Sequence, residues 1–317
     1  MTAAPRYGSP EAMADALNRA AKEQAVVEAA QRDLEGADAR NYRDRRVNQL
    51  RRDAVFHSAL RRLGGSTQGR WVVKGGVALQ LRLDPSRPSL DIDVAWIGDR
   101  LDHAVALEDL RRVLQEPGDD FFQFMVDLPG AREDSTGALE VPIDAMLGGR
   151  RFDRFTIDIG PVRESIAADP PIDVPPPLGI AQLGTAIVVI LSVTQQLADK
   201  VCAIHEMRGD IPSTRWRDLA DVAMIAQQVA GIDATELARR IETEAAIRSS
   251  ALPSGLPSRM LLLEEQLTQW SRSWGTGGRE VPIGMDDALE ITTRFLDPVL
   301  AGTARGEWQL GVLGWSG

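Results

Sequence analysis

Two aspartates one residue apart carry the first chemical signal in the sequence. Asp91 and Asp93 lie in a stretch, LDIDVAW, that alternates apolar and acidic residues as a half-buried strand does. The two-residue period of a strand places both carboxylates on one face, and it predicts that Leu90, Ile92 and Val94 face a core. Because neighbouring carboxylates repel each other, the pair is suited to binding a divalent cation. Oxygen ligands favour Mg²⁺, with Mn²⁺ as a substitute.

A glycine pair upstream adds a candidate phosphate site. Trp71–Val73 predicts a short strand, after which Lys74 and the pair Gly75 and Gly76 turn the chain into a helix. Glycines at such a turn let backbone N–H groups approach an anion, and the helix N-terminus favours negative charge. The turn would hold the phosphates of a nucleoside triphosphate while the aspartates hold metal ions on them. This is the arrangement of two-metal phosphoryl transfer.

A third carboxylate would complete such a site from a neighbouring strand. Asp158 is the best candidate, because it stands between apolar residues in the segment FTIDIG. It would help to bind the second metal ion and would accept the proton of an attacking hydroxyl. Asp153 and Asp144 are nearby substitutes for this role.

These residues resemble the nucleotidyltransferase superfamily of the DNA polymerase β type. Within it they resemble the AbiEii toxin family, which includes the mycobacterial MenT toxins. That family shows a Lys-Gly-Gly turn followed by Arg-x-Ser-x-Asp-x-Asp, which corresponds here to Lys74–Gly76 and Arg87–Asp93. Its helical half carries a Lys followed by an aliphatic residue and Ala, then an Arg-x-x-Asp string. Lys200 and Asp218 occupy those positions here.

The resemblance assigns roles to individual residues. It implies catalytic roles for Asp91, Asp93, Lys200 and Asp218, nucleotide contacts from Lys74, Gly75, Gly76, Arg87 and Ser89, and a metal site of Asp91, Asp93 and Asp158. Lys200 lies on an otherwise apolar helix, so its ammonium must reach a phosphate oxygen, a carboxylate or water. Without the resemblance, a structural ion pair between Lys200 and Asp218 is an equally good interpretation.

The function implied is that of a toxin from a toxin–antitoxin pair. It would transfer a nucleoside monophosphate from an NTP to RNA, with the tRNA 3′ end as acceptor, and a cognate antitoxin would be its partner. The same chemistry on a small molecule of the aminoglycoside kind, or on a protein, is one alternative. The other is a degenerate module that binds a nucleotide or a partner without turnover.

Composition excludes several other classes. The 317 residues contain a single cysteine, Cys202, and three histidines without metal-ligand spacing, so a disulfide scaffold and a zinc site are disfavoured. A net charge of −10 is atypical of a nucleic-acid binder. The arginine-rich helix between Arg43 and Arg62 is therefore more simply explained as a solvated surface than as an RNA contact. No signal peptide or membrane-spanning run is apparent, which predicts a cytoplasmic protein with no membrane partner.

The periodicity predicts an α+β protein. We expect a polymerase-β-like mixed sheet flanked by helices at residues 1–192, followed by a helical C-terminal domain at residues 193–317. The other elements predicted for the first domain are helices from Ser9 to Leu34, Tyr42 to Leu63 and Leu101 to Leu114, strands at Phe121–Val126, Val141–Ile143, Phe152–Ile159 and Ile187–Leu191, and an extended Pro-rich segment at Asp169–Pro177.

Overall fold

The chain forms two compact units. The computed structural model describes residues 7–67, 69–98, 102–134, 137–160, 166–252, 254–277 and 281–317. Unit 1 comprises Met1–Val77 and Ser89–Ile190, and unit 2 comprises Ala78–Pro88 and Leu191–Gly317. The short segment 78–88 thus groups by its contacts with the C-terminal part of the chain.

The secondary structure alternates helices and strands in the first part and is mainly helical in the second. The helices are α1 (Pro10–Gln31), α2 (Gly36–Gly64), α3 (Gly75–Arg82), α4 (His103–Gln115), α5 (Val193–His205), α6 (Trp216–Gln228), α7 (Ala234–Ile247), α8 (Glu264–Gly277) and α9 (Met285–Leu300). The strands are β1 (Gly69–Lys74), β2 (Ile92–Gly98), β3 (Gln123–Val126), β4 (Arg132–Glu133), β5 (Leu139–Leu147), β6 (Arg150–Ile159), β7 (Ile172–Val174), β8 (Ala186–Ile190), β9 (Met207–Arg208), β10 (Ile211–Pro212), β11 (Trp308–Gln309) and β12 (Gly314–Trp315).

Unit 1 is built on one mixed sheet. Its strand order is β3-β5-β6-β2-β1-β8-β7, and β4 pairs with the outer side of β5. The pairs β2–β6 and β1–β8 are parallel, whereas β1–β2, β3–β5, β5–β6 and β7–β8 are antiparallel. The sheet and its flanking helices confirm the α+β prediction. Within the Pro-rich segment, β7 forms an edge strand.

The two faces of this sheet differ in polarity. One face carries fully buried apolar side chains such as Val94 and Ile157. Helix α2 packs on this side, where the rings of Phe56 and Phe155 lie 5.1 Å apart. Side chains of a strand alternate between faces, so Asp93 and Asp158 project from the opposite face.

The structure corrects the predicted bounds around the aspartate pair. Strand β2 begins at Ile92, and Leu90 lies before it with 66% of its surface exposed, so the prediction that Leu90 faces the core is wrong. The alternation of faces applies only where the backbone is already extended and paired. Gly75 and Gly76 are the first residues of α3 rather than a separate turn. Leu101, the predicted start of α4, lies outside the described residues.

Unit 2 is held together by an apolar core between helices. Leu197 of α5, Leu219 of α6 and Phe295 of α9 are fully buried in it, together with Trp270 of α8 and Trp308 of β11. The indole N–H groups of Trp270 and Trp308 donate to the backbone carbonyls of Ser213 and Ala226, at 3.0 and 2.7 Å. None of the helices in the described part of the chain is long and apolar enough to cross a membrane.

Candidate functional site

A row of charged residues crosses the centre of the sheet in unit 1. Asp93 of β2 is the direct partner of Lys74 on β1 and of Asp158 on β6. Asp158 in turn faces Glu140 across the antiparallel pair β5–β6. Direct partners in a sheet project from the same face, so this register places three carboxylates side by side with a lysine at one end.

Asp91 joins this group from the segment that leads into β2. The hydroxyl of Ser89 donates to Asp91 Oδ1 at 3.1 Å, and Ser89 is 2% exposed. The sequence predicts Ser89 as a nucleotide contact. Its observed contact is with the carboxylate, so Ser89 orients Asp91.

Gly75 is required by the position of Asp93. Its φ of +61° lies in the left-handed region, which a residue with a side chain adopts at a cost. A Cβ at this position would lie 1.9 Å from Asp93 Oδ2 and 2.9 Å from Asp93 Cβ. The glycine therefore brings the start of α3 against the Asp93 side chain, so the phosphate and metal parts of the predicted site are contiguous in unit 1.

The electrostatics of the row centre on Asp158. The pKa of this carboxyl is raised to about 7, first by burial and then by the charges of Asp93, Asp91 and Glu140, while the charge of Lys74 opposes the shift. Asp158 Oδ1 is buried and accepts no hydrogen bond from any described residue. A buried acceptor without a partner is rare and costly, so a positive ligand at this atom would be stabilising.

The residues fit a divalent cation in chemistry. Among the described residues, no three His, Cys, Asp or Glu side chains are already gathered around one point. The donor set is nevertheless of the oxygen type that Mg²⁺ and Mn²⁺ prefer. The unpartnered Asp158 Oδ1 and the repulsion between neighbouring carboxylates both favour a cation.

The two substitutes for Asp158 hold other partners. Asp153 accepts a bidentate pair of hydrogen bonds from Arg52 of α2, at 2.9 and 3.0 Å. Asp144 lies 3.7 Å from Arg151 and 3.9 Å from Arg154. Of the three candidates, Asp158 is the one in register with Asp93.

A second charged group lies in unit 2. Lys200 Nζ donates to Asp218 Oδ1 at 2.7 Å and to Asp221 Oδ2 at 2.6 Å. Arg87 adds a bidentate contact to Asp221, at 2.8 and 2.9 Å. Lys200, Asp218 and Asp221 are 6%, 8% and 0% exposed. The structural ion pair between Lys200 and Asp218 is thus present, as part of a larger network.

Paired charges explain how this network tolerates burial. Burial opposes the charge on Lys200, but Asp218 and Asp221 outweigh it and raise the pKa of the ammonium. Burial likewise opposes ionisation of Asp221, but Lys200 and Arg87 lower its pKa. Arg87, predicted as a triphosphate contact, is oriented by Asp221.

Several arginines of α2 form ion pairs with carboxylates of unit 1. Arg46 pairs with Glu28 at 2.6 Å, Arg61 with Asp119 at 2.7 Å and Arg62 with Asp120 at 2.8 Å. Arg52 holds Asp153 in the same way. These contacts favour a structural role for much of the Arg43–Arg62 cluster over an RNA contact.

Sequence reasoning missed three residues of these groups. Glu140 could be found only from the β5–β6 register, which pattern alone does not reveal. Asp221 was visible as a neighbour of Asp218 on one helix face, but its pairing with Arg87 spans 134 residues. Gly160 follows Asp158 by two residues in FTIDIG, and a Cβ there would lie 3.0 Å from Lys74 Cε. It gave a local signal, since a glycine in or beside a strand can mark such a close approach.

Comparison with known proteins identifies the family. The model of the AbiEii nucleotidyl transferase toxins of type IV toxin–antitoxin systems matches residues 59–291. The chain therefore belongs to the AbiEii nucleotidyltransferase toxin family, which implies an NTP substrate and an antitoxin partner. No curated protein matches the sequence significantly.

Solved structures resemble the chain at low sequence identity. MenT4, a nucleotidyltransferase toxin from Mycobacterium tuberculosis, is 14% identical with a TM-score of 0.47, and the match covers 80% of this chain and 93% of MenT4. JHP933 from Helicobacter pylori is also 14% identical, with a TM-score of 0.45 and coverage of 80% and 92%.

Gly75→Ala tests the close approach to Asp93. We expect it to lower the free energy of unfolding by about 2 kcal/mol more than Gly149→Ala does, because it adds a steric clash. Gly149 is a matched control, since its φ is +72° but no atom lies within 4 Å of an added Cβ. Urea unfolding of both variants measures the difference. Equal losses would show that Gly75 is needed only for its backbone angle.

Asp158→Asn tests the raised pKa. A carboxyl with a pKa of about 7 when folded, against 3.8 ordinarily, binds more protons in the folded protein between these values. The stability of the wild type in EDTA should therefore fall as pH rises from about 4 to about 7. We expect Asp158→Asn to remove part of this fall, whereas Asp173→Asn, at an exposed carboxylate on β7, should retain it. Identical pH profiles for wild type and Asp158→Asn would contradict the assignment.

Proposed function

We propose that this toxin transfers a nucleoside monophosphate from an NTP to an RNA acceptor, the 3′ end of tRNA, by two-metal phosphoryl transfer. The observation that carries the proposal is the register that brings Asp93 beside Asp158, with Asp91 adjacent and Gly75 against Asp93. Phosphoryl transfer requires positioning and charge neutralisation more than covalent chemistry from the protein. A row of carboxylates that would hold divalent cations, beside a helix that begins with glycine, would supply both.

Asp91, Asp93 and Asp158 would hold the divalent cations, Mg²⁺ in the first place. When bound, these cations neutralise the triphosphate and activate the acceptor hydroxyl. Ser89 fixes the orientation of Asp91 through its hydrogen bond. The N-terminal end of α3, at Gly75 and Gly76, offers backbone N–H groups to phosphate oxygens.

Proton transfer falls to Asp158. The acceptor oxygen bonds to the α-phosphorus, the bond from that phosphorus to the bridging oxygen breaks, and pyrophosphate leaves. The hydroxyl proton must be accepted at the same time, and we assign this to Asp158, whose carboxylate lies in register with Asp93.

Unit 2 contributes positioning charges in this proposal. Lys200 and Asp218 would place the nucleotide, and Asp221 holds Lys200 and Arg87 on one carboxylate. The sequence boundary at residue 192 between a nucleotidyltransferase domain and a helical domain stays a prediction.

The choice of RNA rests on the MenT-like resemblance. A nucleotidyltransferase acting on a small molecule or a protein would use the same carboxylates, and the net charge of −10 is compatible with either. The salt dependence of the activity distinguishes an RNA acceptor from a small molecule or a protein. RNA binding releases counterions, so it weakens steeply as ionic strength rises.

A labelling assay tests the proposal. Purified protein is incubated with total tRNA, Mg²⁺ and each α-labelled NTP in turn. We expect label on tRNA, with a roughly thousandfold loss of rate in Asp93→Asn from lost charge stabilisation. Asp173→Asn, an equal charge change at an exposed site of the same unit, should label as the wild type does. Label on a protein or a small molecule but not on tRNA would identify that molecule as the acceptor. If no acceptor is labelled, the result would favour a module that binds without turnover.

A double variant separates a functional Lys200 from a structural one. Lys200→Met should cost about 3 kcal/mol of unfolding free energy, because it leaves buried carboxylate charge uncompensated. Adding Asp218→Asn should recover much of that stability, as measured by urea unfolding. We expect labelling to stay lost in the double variant. If the double variant regains both stability and labelling, the pair is purely structural.

A further inference from the structure

Lys74 lies beside the carboxylate row rather than apart from it. It is the last residue of β1 and the direct cross-strand partner of Asp93. Its Nζ is 4.0 Å from Asp93 Oδ1, and the two side chains are 25% and 28% exposed. The ammonium is therefore partly withdrawn from water and close to the carboxylates proposed to bind metal.

The end of β6 is shaped to receive this side chain. A Cβ at Gly160 would lie 3.0 Å from Lys74 Cε and 3.2 Å from Lys74 Nζ. The backbone of Gly160 is fixed there, because its N–H donates to the carbonyl of Val94 at 2.8 Å. Lys74 thus crosses β2 toward the strand that carries Asp158, and its charge also acts on that carboxyl.

We propose that Lys74 is an internal counter-ion of Asp93 and Asp158 and competes with the divalent cation for them. This inference rests on the proposed function, because it takes Asp93 and Asp158 as the cation's ligands. It gives Lys74 a role beyond the phosphate contact implied by the family resemblance.

The change in divalent cation affinity when Lys74 is removed distinguishes a counter-ion from a residue that only contacts phosphate. A counter-ion reduces the repulsion within the row, and it also weakens the attraction of the row for another cation. Removing it should therefore tighten divalent cation binding in the absence of nucleotide. A lysine that only contacts phosphate would leave that affinity unchanged.

The chain offers a matched control, since it has just three lysines, Lys22, Lys74 and Lys200. Lys22 is exposed on α1. Mn²⁺ binding without nucleotide is measured by electron paramagnetic resonance for wild type, Lys74→Met and Lys22→Met. We expect the Kd of Lys74→Met to fall roughly fivefold, because one unit charge near the site is removed. Lys22→Met should match the wild type. An unchanged or higher Kd in Lys74→Met overturns the proposal.

Thermal unfolding gives a second readout without turnover. In EDTA, Lys74→Met should unfold at a lower temperature than the wild type, because the carboxylates lose their counter-ion. Mn²⁺ should raise its Tm by more than it raises the wild-type Tm. If Lys74→Met does not fold, Lys74→Gln makes the same test, since it also removes the ammonium charge and should also tighten Mn²⁺ binding.

Asp93→Asn separates failure of this inference from failure of the proposed function. If Asp93→Asn binds Mn²⁺ as the wild type does, the metal assignment fails and this inference fails with it. If Asp93→Asn loses Mn²⁺ while Lys74→Met binds no more tightly than wild type, the metal assignment stands and only the role of Lys74 is rejected.

Discussion

The groups around the site in unit 1 are arranged to offset the electrostatic repulsion between the carboxylates on β2 and β6. Like charges directly opposite each other in a sheet are destabilising, yet the register sets Asp93 beside Asp158 and Asp158 beside Glu140. The neighbourhood offsets this cost in several ways. Lys74 supplies a positive charge at one end, and Ser89 donates a hydrogen bond to Asp91. The pKa of Asp158, raised to about 7, favours its neutral form below that pH and so reduces the repulsion.

The buried charges of unit 2 are paired with each other. Lys200 and Arg87 both contact Asp221, and Lys200 also contacts Asp218, so two cations and two anions satisfy each other. Such a network is costly to break at one member but contributes little net stability over apolar residues of similar size. In unit 1 the charges are unbalanced toward the acids, and a cation from outside can complete them.

The sequence was enough to predict the strands that carry the carboxylates, but it did not reveal how those strands pair. Alternation in LDIDVAW and FTIDIG identified β2, β6 and the carboxylates on them, because a half-buried strand displays its period locally. The same reasoning failed at Leu90, one residue before the paired strand, where no ladder holds the side chain toward the core. Partners distant in sequence were also hidden. Glu140 meets Asp158 only through the register of a hairpin, and Arg87 meets Asp221 through contacts that no local pattern encodes.

The free-energy cost of placing these carboxylates side by side helps to distinguish between the possible classes of function. A module that only displayed a surface to a partner would be more stable with an amide in place of Asp158, since its Oδ1 is buried and has no donor among the described residues. Gly75 adds a second observation, because only a glycine lets the start of α3 lie against the Asp93 side chain with a φ of +61°. The cost at Asp158 is offset when a cation binds the carboxylates, and the close approach at Gly75 leaves room for an anion at the N-terminal end of α3. A nucleoside triphosphate with its divalent cations would supply both charges in one ligand, so the geometry favours a nucleotide-binding site over a surface that only contacts a partner.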